Sequence, residues 1–318
     1  MCESIWNSVR NSRIIGISGH IRPDGDCIGA AMSMYLYMKK MYADKDVYVY
    51  FESIPERFRY IKDIDEAVTD YEDKHADLFI SVDCSDPERL GGARSLFDKA
   101  DVTINIDHHI SNLSFADVNH FTADSSSTCE VLYELYDKNA VDYDIAVCLY
   151  TGISHDTGVF KYSNTSGRTM QIAGELIEKG INFTEILEKT FFEKTYVQNL
   201  VLGRCLLESK RLLDDRIIIT TATQEMMDEY GADKDDLDGI VNAILQTKDA
   251  EAAVFVYQLG DDEFKVSLRA SGNADMSRIA LMYGGGGHVK AAGCTIKGDV
   301  KAGLESLLRE LESELENC

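Results

Sequence analysis

The chain has 318 residues, 45% of them hydrophobic, with three prolines and a formal net charge of −23. Length and composition describe a globular protein of one large or two ordinary domains and exclude a disordered or collagen-like chain. The charge excludes gripping long nucleic acid by broad phosphate neutralisation, so a nucleic-acid substrate is expected to be short and held locally.

No apolar run is long enough to span a bilayer. Residues 1–7 lack the basic and apolar regions of a signal peptide, so a cytoplasmic protein with no membrane partner is expected. The cysteines at positions 2, 27, 84, 129, 148, 205, 294 and 318 form no Cys-x-x-Cys pair. They read as reduced thiols, several buried, and not as a disulfide frame or a zinc site.

In chain order, Ile14–Ser18 is predicted as a strand, Ile28–Met41 as a helix and Val47–Phe51 as a second strand. Leu78–Val82 and Val102–Ile106 are short and β-branched, as in buried parallel strands. Helices follow near Ser127–Lys138 and Asp142–Ser154. Ser126 or Ser127 is placed to cap the first, with Glu130 near the capping-box offset. This alternation predicts a mostly parallel sheet with helices on both faces. From Ser166 to Leu213 the signal is helical throughout, with Thr190–Leu213 as one long connecting helix. Strands are then predicted over Arg216–Thr221, Ala252–Leu259 and Glu263–Ala270, the last two joined through the turn-rich Gln258–Glu263 as a hairpin. A short helix over Asn273–Tyr283 and an amphipathic helix over Val300–Glu316 complete a smaller C-terminal α/β domain.

Four of these segments end in ligand-type side chains. Ile14–Ser18 leads into His20, Asp24 and Asp26. Leu78–Val82 leads into Asp83, and Val102–Ile106 into Asp107, His108 and His109. Ile145–Ile153 leads to Asp156. In open α/β sheets the ligand site lies outside the carboxyl ends of the strands. Pro23 and Gly25 force a tight loop in which the first three side chains can converge. Oxygen ligands mixed with imidazole favour manganese, magnesium, iron or cobalt over a thiolate zinc site. The same loop also reads as a helix start with Asp26 as N-cap.

Asp83 emerges from its strand towards the same crevice, and a carboxylate can bridge two cations. Asp86, beside Pro87, reads as a turn residue. Asp107-His108-His109 is the strongest signal, because each group must be desolvated or paired at the end of a buried strand. A solvated histidine pair is the ordinary alternative, and the flanking strand weakens it. His155 reads as structural or solvent-facing, and His75 and His120 carry no functional context. In the second half, Gly284 to Gly287 followed by His288 expose backbone N–H groups suited to an anion. Arg269 ends the strand just before them.

The order His-x-x-Pro-Asp-Gly-Asp, Val-Asp, Asp-His-His and Asp-Thr-Gly resembles the DHH phosphoesterase superfamily. Arg269, Gly-Gly-Gly-Gly-His288 and Ala291-Ala292-Gly293 resemble the DHH-associated C-terminal domain. Within the superfamily the size is similar to the bacterial nanoRNase and 3′-phosphoadenosine-5′-phosphate (pAp) phosphatase group. The resemblance implies a DHH domain over 1–190, a connecting helix over 191–213 and a substrate-binding domain over 214–318, with the active site in the cleft between the domains.

It also implies two Mn2+ ions, with Mg2+ or Co2+ as substitutes. His20 and Asp24 would hold one, and Asp26, His108 and Asp156 the other, with Asp83 bridging. His109 would lie near the substrate phosphate, where either it or a metal-bound water would protonate the leaving oxygen, and Asp107 would be a peripheral ligand or an outer partner orienting a neighbouring imidazole. Arg269, Gly286, Gly287 and His288 would grip a phosphate that does not react. The implied substrates are short RNA oligonucleotides of two to five nucleotides, or pAp.

The rival readings are a linear-dinucleotide (pApA-type) phosphodiesterase, an inorganic pyrophosphatase and a non-catalytic nucleotide sensor. A pyrophosphatase would carry a Lys/Arg-rich grip in place of the glycine run, and a sensor would be expected to have lost ligands. Cys27, Ala270 and Val289 depart from the family pattern at positions that affect substrate preference more than catalysis. The long helix is available to a homodimer, and oxidation of Cys27 or Cys84 would be expected to slow the enzyme.

Overall fold

The computed structural model describes residues 2–71 and 75–316. They fall into two compact units, Met1–Glu193 and Lys194–Cys318.

The first unit opens with α1 (Cys2–Asn11), β1 (Ile14–Ser18), α2 (Gly25–Met41) and β2 (Asp46–Tyr50), then β3 (Leu78–Val82), α3 (Arg94–Phe97), β4 (Val102–Asp107) and β5 (Val118–Phe121). It closes with α4 (Thr128–Leu135), α5 (Tyr143–Asp156), α6 (Gly167–Ile177) and α7 (Phe183–Leu187), followed by one π-helical turn, Glu188–Phe192. The five strands are all parallel in the order β2-β1-β3-β4-β5. The strand order reverses between β1 and β3, where doubly wound sheets open a ligand crevice. β3 is buried along its whole length. Leu78, Ile80 and Val82 join the core under α2, α4 and α5, while Phe79 faces the opposite layer with Leu90, Leu96 and Phe97.

α2 is buried on every side from Gly25 to Met38, as expected of a helix apolar all round. Its neighbour α5 comes unusually close. A Cβ on Gly29 would lie 2.4 Å from the Cys148 carbonyl oxygen, and one on Gly152 only 2.2 Å from Cys129 Sγ and 2.5 Å from Asp26 Oδ1. Glycine at both positions lets the two helices carry Asp26 and Asp156 to the same end of the sheet.

The second unit contains α8 (Tyr196–Leu207), β6 (Lys210–Leu212), β7 (Ile217–Ala222), α9 (Gln224–Tyr230), α10 (Ile240–Leu245), β8 (Ala252–Gly260) and β9 (Glu263–Ala270). It ends with α11 (Met276–Met282), β10 (Gly286–His288), β11 (Ala291–Lys297) and α12 (Val300–Glu316). Its mixed sheet runs β10-β11-β9-β8-β7-β6. The β8–β9 hairpin and the terminal helix match the sequence expectation.

Several elements differ from that expectation. Thr190–Leu213 is not one helix. The π turn ends at Phe192, Thr195 caps α8 through a reciprocal bond with Gln198, and Lys210–Leu212 is a strand paired with β7. Apolar spacing continues through this stretch, but the Thr195 side chain competes for backbone donors and restarts the helix. β5 was not predicted, because its sequence Val-Asn-His-Phe carries little β pattern and the strand lies at an edge. The glycine run is not simply a turn, since Gly286–His288 is an edge strand paired antiparallel with β11. Gly287 has φ +143°, and a Cβ there would meet the Ala291 carbonyl oxygen at 2.5 Å.

The described cysteines, Cys27, Cys84, Cys129, Cys148, Cys205 and Cys294, are all buried and unpaired. Cys318 and the side chain of Cys2 lie outside the described residues.

Candidate active site

The carboxyl ends of β1, β3 and β4 and the end of α5 bring together His20, Asp24, Asp26, Asp83, His108 and Asp156. Asp83 is fully buried and sits in the left-handed region with φ +51°. Aspartate tolerates that conformation better than most residues. Its two oxygens face two different imidazoles. Oδ2 is 3.4 Å from His20 Nε2, and Oδ1 is 3.6 Å from His108 Nε2. Thr128 Oγ1 donates to Oδ1 at 3.0 Å.

Asp24, not Asp26, is the N-cap of α2. Its Oδ1 accepts from the backbone N–H groups of Asp26 and Cys27 and lies 3.8 Å from His20 Nε2. Asp26, one residue further into the helix, is released to face α4. Its carboxylate accepts from the N–H groups of Thr128 (2.6 Å) and Cys129 (3.0 Å), the first turn of that helix, where donors and dipole favour an anion. Ser127 caps α4 through Glu130 N. The Glu130 carboxylate turns to the Ser126 and Thr169 hydroxyls, so no capping box forms.

His20 Nδ1 lies 2.8 Å from the Ile21 carbonyl oxygen and His108 Nδ1 3.4 Å from that of Ser125. A proton on each Nδ1 leaves each Nε2 lone pair directed into the site, the arrangement that metal-binding histidines use. His108 Nε2 is buried and makes no well-aligned hydrogen bond. Yet carboxylate oxygens of Asp156, Asp83 and Asp26 surround it at 3.1, 3.6 and 3.9 Å. Once that nitrogen gives up its proton, it and the carboxylates around it are ligands for a shared cation, and the set of imidazoles and carboxylates fits a divalent ion of manganese or magnesium type.

The electrostatics agree. Burial, then the charges of Asp83 and Asp156, push the Asp26 carboxyl well above its usual range. Burial and neighbouring carboxylates likewise raise Asp156. Burial alone would lower His108 and His20, but the surrounding carboxylates outweigh it and hold both above the usual value. Asp83, facing three imidazoles, is held below its usual range although burial opposes this.

His109 Nδ1 lies 3.6 Å from Asp83 Oδ1 but is nearer to another carboxylate. Its Nδ1 is 2.7 Å from Asp107 Oδ1, and Asp107 is fully buried. Asp107 Oδ2 accepts from Asn112 Nδ2 at 2.5 Å. Asn112 also donates to Asn105 Oδ1, and Asn105 to Ser81 Oγ and the Cys84 carbonyl oxygen. Asp107 thus orients the His109 ring and is itself held by a chain of amides. The sequence reading missed Asn105, Asn112 and Thr128. A polar residue within a buried strand and an asparagine three residues after His109 were the available signals.

His155, expected to be structural or solvent-facing, lies beside the acidic groups. A ring nitrogen lies within 4.8 Å of carboxylate oxygens of both Asp24 and Asp156. His75 pairs with Asp101 at the surface, and His120 is half-buried with burial lowering its basicity.

In the second unit, Arg269, Ala291 and His288 are cross-strand neighbours over β9, β11 and β10. Residues paired in this way share one face of a sheet, so Arg269 and His288 flank Ala291. Arg269 Nε donates to Asn242 Oδ1. Gly286 and Gly287 lie beside His288 on β10. Ala270 is buried in the core on the opposite face, so a serine there would not stand beside Arg269. Val289 is exposed, and Cys27 is buried with Sγ near His20 and Asp83.

Residues 14–153 match the DHH family, N-terminal domain, and residues 214–317 match the DHHA1 domain. The bifunctional oligoribonuclease and PAP phosphatase NrnA of Thermus thermophilus is 29% identical over 306 residues, covering 95% of this chain and 90% of that protein. Its counterpart in Bacillus subtilis is 26% identical over 303 residues, covering 92% and 94%. Among solved structures, an exopolyphosphatase-related protein from Bacteroides fragilis shares the fold with a TM-score of 0.90 at 24% identity, over 99% of this chain and 97% of that one. With both domain models matched in order and the strand-end acids converging, the chain carries a DHH family N-terminal domain followed by a DHHA1 domain.

Proposed function

We propose that this protein is a two-metal phosphoesterase that hydrolyses short RNA oligonucleotides to mononucleotides and pAp to AMP. The observation that carries the reading is Asp83, whose two oxygens each face a different imidazole across a buried acidic pocket. The relatives named for oligoribonuclease and PAP phosphatase activity support the substrate class.

His20, Asp24 and Asp83 would hold one divalent cation, and Asp26, Asp83, His108 and Asp156 the other, with Mn2+ as the ion. Bound there, such a pair would supply the activation of water at neutral pH and the neutralisation of charge developing on phosphorus. Thr128 and the start of α4 hold Asp83 and Asp26 against their mutual repulsion. Asp107 orients His109, which donates a proton to the leaving oxygen. Arg269 and His288, with the backbone of Gly286 and Gly287, hold a phosphate that does not react and so select nucleotide substrates. In this reading the enzyme acts in the cytoplasm. No helix among the described residues is long and apolar enough to cross a membrane.

The test is Mn2+-dependent release of mononucleotide from a labelled RNA dinucleotide, with pAp, a linear 5′-phosphorylated diadenylate and pyrophosphate assayed in parallel. Turnover of nucleotides but not of pyrophosphate is expected. Turnover of pyrophosphate alone would overturn the assignment of the second unit, and turnover of none would overturn the enzyme reading.

A further inference from the structure

We propose that Phe191 and Phe192, together with the ring of His155, form a stacking shelf for the nucleobase next to the cleaved phosphate. This rests on the nucleotide-hydrolase reading above and adds a base subsite to it.

The shelf is a row of rings that starts at the acidic pocket and runs out to solvent. His155 has a ring nitrogen within 4.8 Å of carboxylate oxygens of Asp24 and Asp156. Its ring stands edge-on to Phe58 at 6.1 Å and to Phe191 at 6.2 Å, and Phe191 stands edge-on to Phe192 at 5.9 Å. Phe58 is fully buried and anchors the row from within. Phe191 and Phe192 are 38% and 54% exposed. Gly25 of the first acidic loop has no room for a Cβ, which would lie 2.6 Å from His155 Cβ, so this loop and the first ring of the row are locked together.

The two phenylalanines are carried by the π-helical turn Glu188–Phe192. Such turns are rare and occur often at functional sites. Thr190 fixes this one from below, its hydroxyl donating to the Ile186 carbonyl oxygen at 2.6 Å. Two adjacent phenylalanines partly open to water, in continuity with a candidate active site, offer apolar ring surface to a ligand bound there.

The chemistry selects a base over a phosphate. The cation of the turn, Lys189, is paired with Glu185 at 2.7 Å and lies over the Tyr60 ring. Glu188 opens the turn and Glu193 follows Phe192 directly in the chain. A second phosphate would meet acids here, whereas a neutral base meets aromatic edges and faces. Stacking on aromatic side chains tolerates any base, as an enzyme that degrades mixed short RNAs requires.

The test uses the full chain with Mn2+ and compares Phe191→Ala, Phe192→Ala and Phe191→Trp with wild type. Substrates are the 5′-phosphorylated diadenylate and two analogues, each with one adenine replaced by hydrogen. Loss of the shelf is expected to raise KM for the diadenylate about tenfold, with a smaller effect on kcat. One abasic analogue is expected to show the raised KM already with wild type and no further rise with the alanine variants. Phe191→Trp is expected to restore KM.

Equal KM values for wild type and alanine variants on the diadenylate would overturn the proposal, as would the same loss on both abasic analogues. A dimer that becomes monomeric on Phe191→Ala without a change in KM would also overturn it, assigning the patch to a second copy.

Quenching of the new tryptophan by AMP, against the single native Trp6, reads the shelf without turnover. Quenching in a protein that cleaves no nucleotide would support the shelf while refuting the hydrolase reading. Absence of quenching would refute the shelf whatever the activity.

Discussion

Gly152→Ala tests whether the close approach of α2 and α5 builds the acidic pocket. Helix propensity alone favours the substitution by about 1 kcal/mol. The added methyl, however, would sit 2.2 Å from Cys129 Sγ and 2.5 Å from Asp26 Oδ1. Neither neighbour yields easily, because both are fully buried and the Asp26 carboxylate is held by two backbone N–H groups. Overpacking of this kind costs about 1–3 kcal/mol, and two contacts under 3 Å place it at the upper end. The net loss is then about 2 kcal/mol, a fall in melting temperature of about 4–8 °C for a unit of this size.

The assay is thermal unfolding without metal, followed by Mn2+ titration, for which weaker binding is expected as Asp26 is displaced. Gly174→Ala on α6 is the internal control. A Cβ there meets nothing within 4 Å, so the same substitution should stabilise the protein by about 1 kcal/mol. Cys129→Ala combined with Gly152→Ala removes the nearer obstacle and should recover part of the stability without restoring metal affinity. Wild-type stability and metal affinity in Gly152→Ala would refute the argument that this contact positions Asp26.

The remaining predictions address the chemistry. Asp83→Asn should abolish turnover, because an amide cannot serve both imidazole sides of the pocket as a carboxylate does. Steady-state assays of the folded variant read this, and wild-type rates would refute the bridging assignment. His288→Ala should raise KM for dinucleotides and leave kcat nearly unchanged, since its role is to hold a phosphate that does not react.

Cation binding should release protons. The folded, metal-free protein holds His108 up at about 10 because carboxylates surround it, so it carries a proton at pH 7 that a cation must displace, and the Asp83 carboxylate raises His20 in the same direction. Burial and neighbouring carboxylates also raise Asp26 and Asp156 from their usual range. Apparent Mn2+ affinity therefore rises with pH through neutrality, and calorimetry in buffers of different ionisation enthalpy measures the release. An enthalpy independent of buffer would contradict it.

The strand ends were legible because β-branched runs and the acids and imidazoles that follow them are local features. Ile14–Ser18 with His20, Leu78–Val82 with Asp83, and Val102–Ile106 with Asp107 each announce a buried strand that empties into a polar site. Helix ends were less legible. Thr195 divides a continuous apolar pattern, and the cap of α2 falls on Asp24 in place of Asp26, because capping depends on backbone dihedrals that an apolar pattern does not encode.

Tertiary structure alone decided which groups meet. Asp26 finds the first turn of α4 because glycines at 29 and 152 let two helices close together. His155 reaches Asp24 because Gly25 leaves room for it, and the Asn112 amide reaches Asp107 from the loop after β4 and ties it to Asn105. Arg269 and His288 share a face through the register of three strands. Sequence by itself determined the fold class and the supply of ligand-type side chains, since periodicity and residue chemistry act over a few positions. Their convergence is a property of packing between segments tens of residues apart, and it was fixed by close approach and strand register, which no local pattern carries.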